Sequence, residues 1–326
     1  MTLLARIAAG CAMVFALGAA PAPAAERTPY PIRPVRIVVP FGPGGIADIT
    51  VRVVAEKLTE KLGQQFIIDN QPGAGGITAA RAALQGAKDG YTLALLTNGT
   101  AISVPLFKKL PFNPVKDFAP VSSLGYFEFL FVTAAGSKYH SVQDVVAFAK
   151  ASPGALNLGT INVGSSQNLS AELFKSMAGV DVTIIPYKTT PDLVIAATRG
   201  DVDVMIDSYA SARAMMADRK LRAIAASGPT RSAVLPDLVT VDESGVKGFE
   251  VTSWNAIFAP AGTPPEVIGV LNKAITEVVA MPDVKRKLLD LGIEARASTP
   301  EELGDRLKAD IAKWTAVIEK AGIERQ

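Results

Sequence analysis

Short β-branched runs alternate with segments of helical spacing along most of this 326-residue chain. The first run is Val35–Val39, and the segment after it places Val51 and Leu58 on one side of a helix. The same order recurs after the apolar runs at residues 66–68 and 91–96. Strands and helices at such short separations predict a parallel sheet with helices packed on its faces.

A second set of strands and helices follows between residues 130 and 226. Within it, the hydroxyl of Thr190 before Pro191 and Asp192 predicts the N-cap and first turn of a helix. The length fits two domains, and no low-complexity linker separates the two sets. The sequence therefore predicts two α/β lobes that share chain crossings and enclose a cleft.

Charge and composition exclude several classes of function. Lys and Arg number 33 against 31 Asp and Glu, which argues against a groove that must neutralise many phosphates. The chain has one histidine, His140, and one cysteine, Cys11, so we expect no metal site, no disulfide framework and no catalytic residues built on them. We also expect no cofactor, because the glycine spacing around Gly44 does not match a nucleotide fingerprint.

The N-terminal segment resembles an export signal. Arg6 precedes an apolar stretch at residues 7–20, and small residues at 21–25 suit a signal peptidase. We interpret residues 1–25 as a signal peptide cleaved after Ala24 or Ala25. The mature protein is then expected in the periplasm.

Glycine-rich turns follow several predicted strands. In the first, residues 41–48, glycine allows a ligand to approach backbone N–H groups at the start of a helix, where anions are favoured. One such turn alone is typical of an ordinary tight connection. Further turns at 73–76, 97–100, 164–166 and 187–190 also follow strands. Because loops at the carboxyl ends of parallel strands converge, we expect them to form one anion site.

Several polar side chains in these turns have two interpretations. Asp48, four residues before Arg52, is typical of an ion pair within a helix, although it could bind a ligand amine or hydroxyl. Asp207 follows an apolar strand that would deliver it to the cleft. Tyr187 either lines a pocket or covers the edge of a lobe, and Lys188 either contacts ligand or faces solvent.

Motifs spread over residues 30–300 carry a family resemblance. They include Ile37–Phe41 with Gly44, Gly45 and Asp48, Asn70–Gly76, Asp89–Leu93, Asp117–Val121, Pro186–Lys188, Leu221–Ala225 and Ala259–Pro264. In this order they resemble the Bug family, the periplasmic solute receptors of tripartite tricarboxylate transporters. The resemblance covers nearly the whole mature chain.

The resemblance implies an α/β type II periplasmic-binding-protein fold, in which two lobes close around a small carboxylate. The first lobe would take residues 26–125 plus 250–326, and the second residues 126–249. The family's ligand-binding positions fall on Phe41, Pro43, Gly44, Gly45, Asp48, Ala74, Gly75, Thr97, Gly164, Ser165, Ser166, Tyr187 and Asp207.

We expect a monomeric binding protein that delivers an organic carboxylate to a membrane permease and transforms nothing. Two alternatives stay open: a sensor adaptor that presents the ligand to a receptor kinase, and an enzyme acting on an acidic metabolite. Thr189 stands where the family usually has glycine, and Asn168 where it often has histidine. These departures bear on which acid is bound.

Overall fold

The computed structural model describes residues 30–326, and Pro31–Gln326 form one compact unit. The signal peptide expected at residues 1–25 lies outside the described residues. None of the helices within residues 30–326 combines the length and the hydrophobicity of a membrane-spanning helix.

Strands and helices alternate along the chain much as the sequence predicts. The strands are β1 (Val35–Val39), β2 (Phe66–Asn70), β3 (Thr92–Thr97), β4 (Phe118–Glu128), β5 (Leu130–Ala134), β6 (Asn157–Ile161), β7 (Thr183–Tyr187), β8 (Val204–Asp207), β9 (Leu221–Ala226), β10 (Thr252–Pro260) and β11 (Glu294–Ala295). The helices are α1 (Ile46–Leu62), α2 (Ile77–Leu84), α3 (Asn98–Leu106), α4 (Val142–Ala151), α5 (Ser166–Ala178), α6 (Thr190–Arg199), α7 (Tyr209–Ala217), α8 (Pro265–Ala280), α9 (Pro282–Leu289) and α10 (Pro300–Ala321), with a 3₁₀ turn at Ala74–Gly76.

The described strands form two mixed sheets, ordered β11-β4-β10-β3-β1-β2 and β7-β6-β8-β5-β9. The predicted parallel pairing is confirmed for β1 with β2 and β3, and for β6 with β7 and β8. It is wrong for β5, which runs antiparallel to β8 and β9. The sequence analysis did not predict β10, which runs antiparallel to β3 and β4. The reason is that each of these strands enters from the other sheet without a helical crossover.

The two chain crossings between the sheets are hydrogen-bonded to each other. Ser227 exchanges two bonds of 2.8 Å with the backbone of Phe129, which lies between β4 and β5. Ser227 also donates its hydroxyl to the carbonyl oxygen of Val251, just before β10, at 2.7 Å. Because Ser227 is fully buried, these bonds tie both crossing segments into one junction.

The start of α6 differs from the prediction by one residue. Thr189 is the N-cap, and its Oγ1 accepts the amide of Asp192 at 3.3 Å. Thr190 is the first helical residue, and its hydroxyl donates to Asp207 Oδ2 at 3.2 Å. The sequence predicts that the Thr190 hydroxyl caps the helix, but this hydroxyl instead donates to the buried carboxylate of Asp207 at the end of β8.

Candidate functional site

The first turns of three helices line one cavity between the two sheets, which we call the main cavity. They contribute Gly45 and Ile46 from α1, Ser166 and Gln167 from α5, and Thr190 from α6. The N-cap of α1, Gly45, offers no side-chain cap to the first amides. First-turn N–H groups lack intrahelical acceptors and carry the positive end of the helix dipole. The main cavity is therefore suited to an anion.

A second cavity, the side cavity, continues the cleft and shares Phe41 and Thr97 with the main cavity. Its other lining residues include Gly75, Gly99, Asn162, Gly164 and Ser165. The two sheets approach so closely here that the amide of Gly75 donates to the carbonyl of Val163 at 3.1 Å. A Cβ on Gly164 would lie 3.2 Å from the Gly75 Cα. Backbone therefore packs against backbone across the cleft, and the φ of +82° at Gly164 is a further reason for glycine there.

The residues that line the main cavity include a positive charge but no negative one. Lys188 lines it from an exposed position, and no aspartate or glutamate is among the residues that line either cavity. The side chain of Lys188 forms no ion pair among residues 30–326. Helix N-termini and one cation thus face a cavity without a competing carboxylate, which favours a negatively charged ligand.

The cleft is narrow in this arrangement. The main cavity leaves about 20 Å³ in which the centre of a water molecule fits, room for roughly one water. Thr189, the N-cap of α6, helps to close it, since a Cβ on Gly42 would lie 2.8 Å from the Thr189 methyl group. An organic acid can enter only if the two sheets separate.

Asp207 lies behind the main cavity rather than on its surface. The residue is 0% exposed, and its Oδ1 accepts from Gln167 Nε2 at 3.1 Å and from the Ser208 amide at 2.7 Å. Its Oδ2 accepts from Thr190, as described above. Burial raises the pKa of the Asp207 carboxyl, while these hydrogen bonds act in the opposite direction. Asp207 therefore positions two cavity-lining residues, Gln167 and Thr190.

Asp48 is also a positioning residue. It pairs with Arg52 at 2.9 Å, which confirms the ion pair favoured by the sequence. Its carboxylate also accepts the amide of Gly44 at 3.0 Å and the side-chain amide of Asn70 at 2.9 Å. Burial raises the pKa of Asp48, but the hydrogen bonds from Arg52, Gly44 and Asn70 outweigh it and leave that pKa below its usual value. The carboxylate thus fixes the glycine-rich turn before α1.

The structure brings about half of the predicted site residues to the cleft. Those lining one or both cavities are Phe41, Gly45, Gly75, Thr97, Gly164, Ser165 and Ser166. Those lining neither are Pro43, Gly44, Asp48, Ala74, Tyr187 and Asp207. Pro43, Gly44 and Ala74 are exposed, and Tyr187 packs against the core of the second sheet. A ligand-binding role for each residue stays a prediction.

The sequence analysis missed several cavity-lining polar groups. Asn255 lies in the middle of β10 and is fully buried, and Ser253, two residues before it, contacts Ser166 Oγ at 3.2 Å across the cleft. A single amide in the apolar run Trp254–Phe258 was the available signal. Gln167 and Asn162 carried no comparable signal, because helix starts and strand ends are commonly polar.

No group of three or more His, Cys, Asp or Glu side chains in residues 30–326 is placed to hold a metal ion. The two predicted acidic site residues, Asp48 and Asp207, are instead bound to donors of the protein. Recognition in this cleft consequently depends on amide, hydroxyl and ammonium groups.

Comparison with known proteins gives a consistent result. Residues 50–323 match the model of the tripartite tricarboxylate transporter family receptor. A protein of R. palustris solved with adipate has a TM-score of 0.87 and 33% identity, covering 90% of this chain and 99% of that one. The periplasmic binding protein BugD has a TM-score of 0.87 and 30% identity, with coverage of 91% and 100%.

MatC from Rhodopseudomonas palustris, solved with bound malate, has a TM-score of 0.84 and 32% identity, covering 89% of this chain and 100% of that one. The predicted α/β fold of a periplasmic binding protein is thereby confirmed, with two sheets that each carry helices. The chain belongs to the receptor family of the tripartite tricarboxylate transporters.

Proposed function

We propose that this protein captures a small organic carboxylate in the cleft between its two sheets and presents it to a membrane permease. The observation that carries the proposal is the convergence of three helix N-termini on the main cavity. Amides fixed by helices stabilise an anion without reorganising, and they retain this ability at any pH at which the acid is ionised. The relatives solved with adipate and malate support this ligand class.

Closure of two lobes couples ligand binding to a conformational change that the permease can recognise. The lobes are residues 26–125 with 250–326, and residues 126–249, joined by the hydrogen-bonded crossings around Ser227. Contacts between Gly75 and Val163 and between Ser166 and Ser253 form across the cleft. A ligand that bridges both sets of helix N-termini adds contacts only in the closed form and shifts the population towards it.

The proposal also covers the export of the protein, its location in the cell and the release of its ligand. The protein is exported with residues 1–25 as a signal peptide, acts in the periplasm as a monomer, and releases its ligand unchanged to the permease subunits. The cavity composition favours binding over chemistry, because Asp207 and Asp48 are both occupied as acceptors. Mass spectrometry of ligand recovered after incubation tests this point, and any converted product contradicts it.

A thermal-shift screen tests the ligand class. The protein is first unfolded and refolded to remove copurified ligand, then scanned with mono-, di- and tricarboxylates, aromatic acids and acidic amino acids. At ~100-fold excess over the dissociation constant, binding adds about 2.7 kcal/mol to the free energy of unfolding. We expect the matching acid to raise Tm by several degrees. The control is the neutral amide of the same acid, which should raise it far less; no shift with any acid contradicts the proposal.

A further inference from the structure

One residue that lines the main cavity has a polar side-chain atom without a partner among residues 30–326. Asn255 is 0% exposed and lines the main cavity. Its Nδ2 donates to Thr50 Oγ1 at 3.0 Å, but its Oδ1 has no hydrogen-bond partner among residues 30–326. A buried acceptor without a donor is costly in a folded protein. Such an atom at a cavity wall calls for a donor from the cavity.

The orientation of this amide is fixed by its neighbour. The hydroxyl of Thr50 donates to the carbonyl oxygen of Ile46 at 2.6 Å. Its single hydrogen is therefore used, and its oxygen can only accept from Asn255. The atom facing Thr50 must be Nδ2, which leaves the oxygen of the amide as the unpartnered atom. A flipped amide would place two acceptors against each other.

The charge of the cavity decides which kind of donor fits. An ammonium group would lie beside three positive helix ends and Lys188, with no carboxylate lining the cavity to balance it. A neutral hydroxyl donates one hydrogen bond without adding charge. The same cavity therefore accepts an anionic group at the helix N-termini and a neutral donor at Asn255.

We infer that the ligand is a hydroxylated carboxylic acid whose hydroxyl group donates to Asn255 Oδ1. This inference rests on the proposed function and specifies its ligand class. It makes Asn255 a specificity-determining residue, with Thr50 as the residue that orients it. The hydroxyl distinguishes this ligand from a plain acid of equal length, which would leave the Asn255 oxygen buried and unpaired.

Matched pairs of acids test the inference by isothermal titration calorimetry on the refolded full mature chain. Each pair has the same length and differs by one hydroxyl: lactate and propionate, malate and succinate, and hydroxyadipate and adipate. For the pair that fits, we expect the hydroxylated acid to bind roughly 5- to 150-fold more tightly. Aspartate completes the four-carbon set, and we expect it to bind more weakly than malate.

Two variants locate the effect at the amide. In Asn255→Ala, the preference for the hydroxylated acid should fall to about one- to threefold, because the acceptor is gone. In Thr50→Val, the side-chain amide of Asn255 is no longer held in one orientation, and the preference for the hydroxylated acid should also decrease. Asn272→Ala is the matched control: Asn272 bonds to Val121 and Ser298, outside both cavities, so the wild-type preference should persist.

The outcomes separate this inference from the proposed function. If acids bind but every pair differs by less than threefold, the inference is wrong while the proposed function stands. A preference that survives in Asn255→Ala overturns it as well, as does tighter binding of aspartate than of malate. Failure of every acid to bind overturns both the inference and the proposed function.

Discussion

Replacing Gly45 with valine is expected to weaken carboxylate binding strongly while the protein still folds. Gly45 has φ −84° and ψ 168°, an extended conformation that valine adopts readily. A Cβ at this position would lie 2.9 Å from Thr190 Oγ1, across the main cavity. Overpacking of this kind costs about 1–3 kcal/mol. Because the contact belongs to the closed form that holds the ligand, this cost corresponds to roughly 5- to 150-fold in affinity. Obstruction of the α1 amides adds to this loss.

The measurement is calorimetric affinity for the best acid from the screen, together with Tm. Gly136→Ala is the control, since Gly136 is exposed and a Cβ there has no atom within 4 Å. Gly44 is a poorer test, because its φ of +85° strains any other residue. Undiminished affinity in a well-folded Gly45→Val variant would remove the start of α1 from the site.

The second large effect concerns Asp207 and pH. Burial raises the pKa of this carboxyl in the folded protein, so the unfolded chain loses the proton first as pH rises above about 4. The contribution of Asp207 to the free energy of unfolding should therefore fall with rising pH until the folded pKa is reached, by up to about 1.4 kcal/mol per pH unit. Asp207→Asn has no proton to lose and should not show this decline.

The geometry allows asparagine at this position. Its oxygen can replace Oδ1, which accepts from Gln167 and Ser208, and its amide nitrogen can donate to Thr190 Oγ1 in place of Oδ2. We expect Asp207→Asn to gain stability over the wild type as pH rises from 4, in urea unfolding at a series of pH values.

Asp48→Asn is the control, because its effect on stability should depend on pH in the opposite direction. The hydrogen bonds to Asp48 leave its folded pKa below the usual value, so its contribution is present above the unfolded pKa and is lost as pH falls through the folded pKa. The wild type should therefore have a higher free energy of unfolding than Asp48→Asn at neutral pH, and this difference should shrink as the pH is lowered. If the free energy of unfolding of the wild type instead rises relative to that of Asp207→Asn as pH increases, the raised pKa of Asp207 is contradicted.

Local signals in the sequence predicted much of the fold. Gly63 ends α1 in a left-handed conformation, as its position after a run of helical spacing indicates. Ser141 and Asp144 form a capping box at the start of α4, and their three-residue spacing is a helix-start signal that the sequence itself carries. The antiparallel entry of β5 and β10 could not be read from the sequence, because strand direction depends on where the chain crosses between sheets.

The site was predicted at the level of loops but not of individual side chains. The glycine-rich turns converge, as loops at the ends of parallel strands should. Gly44 nevertheless lines neither cavity, and its amide donates to Asp48. Asp207 is held below the surface by donors from α5 and α6. Both outcomes depend on contacts between elements that are remote in sequence or on the exact path of a turn.

A crystal structure of the protein with its tightest-binding acid tests the central claim most directly. We expect a carboxylate of the ligand in the main cavity, with its oxygens about 2.7–3.2 Å from first-turn amides of α1, α5 or α6. The claim is contradicted if the acid instead occupies the separate cavity lined by Tyr126, Arg296 and Arg306, with none of those helix amides in contact with it.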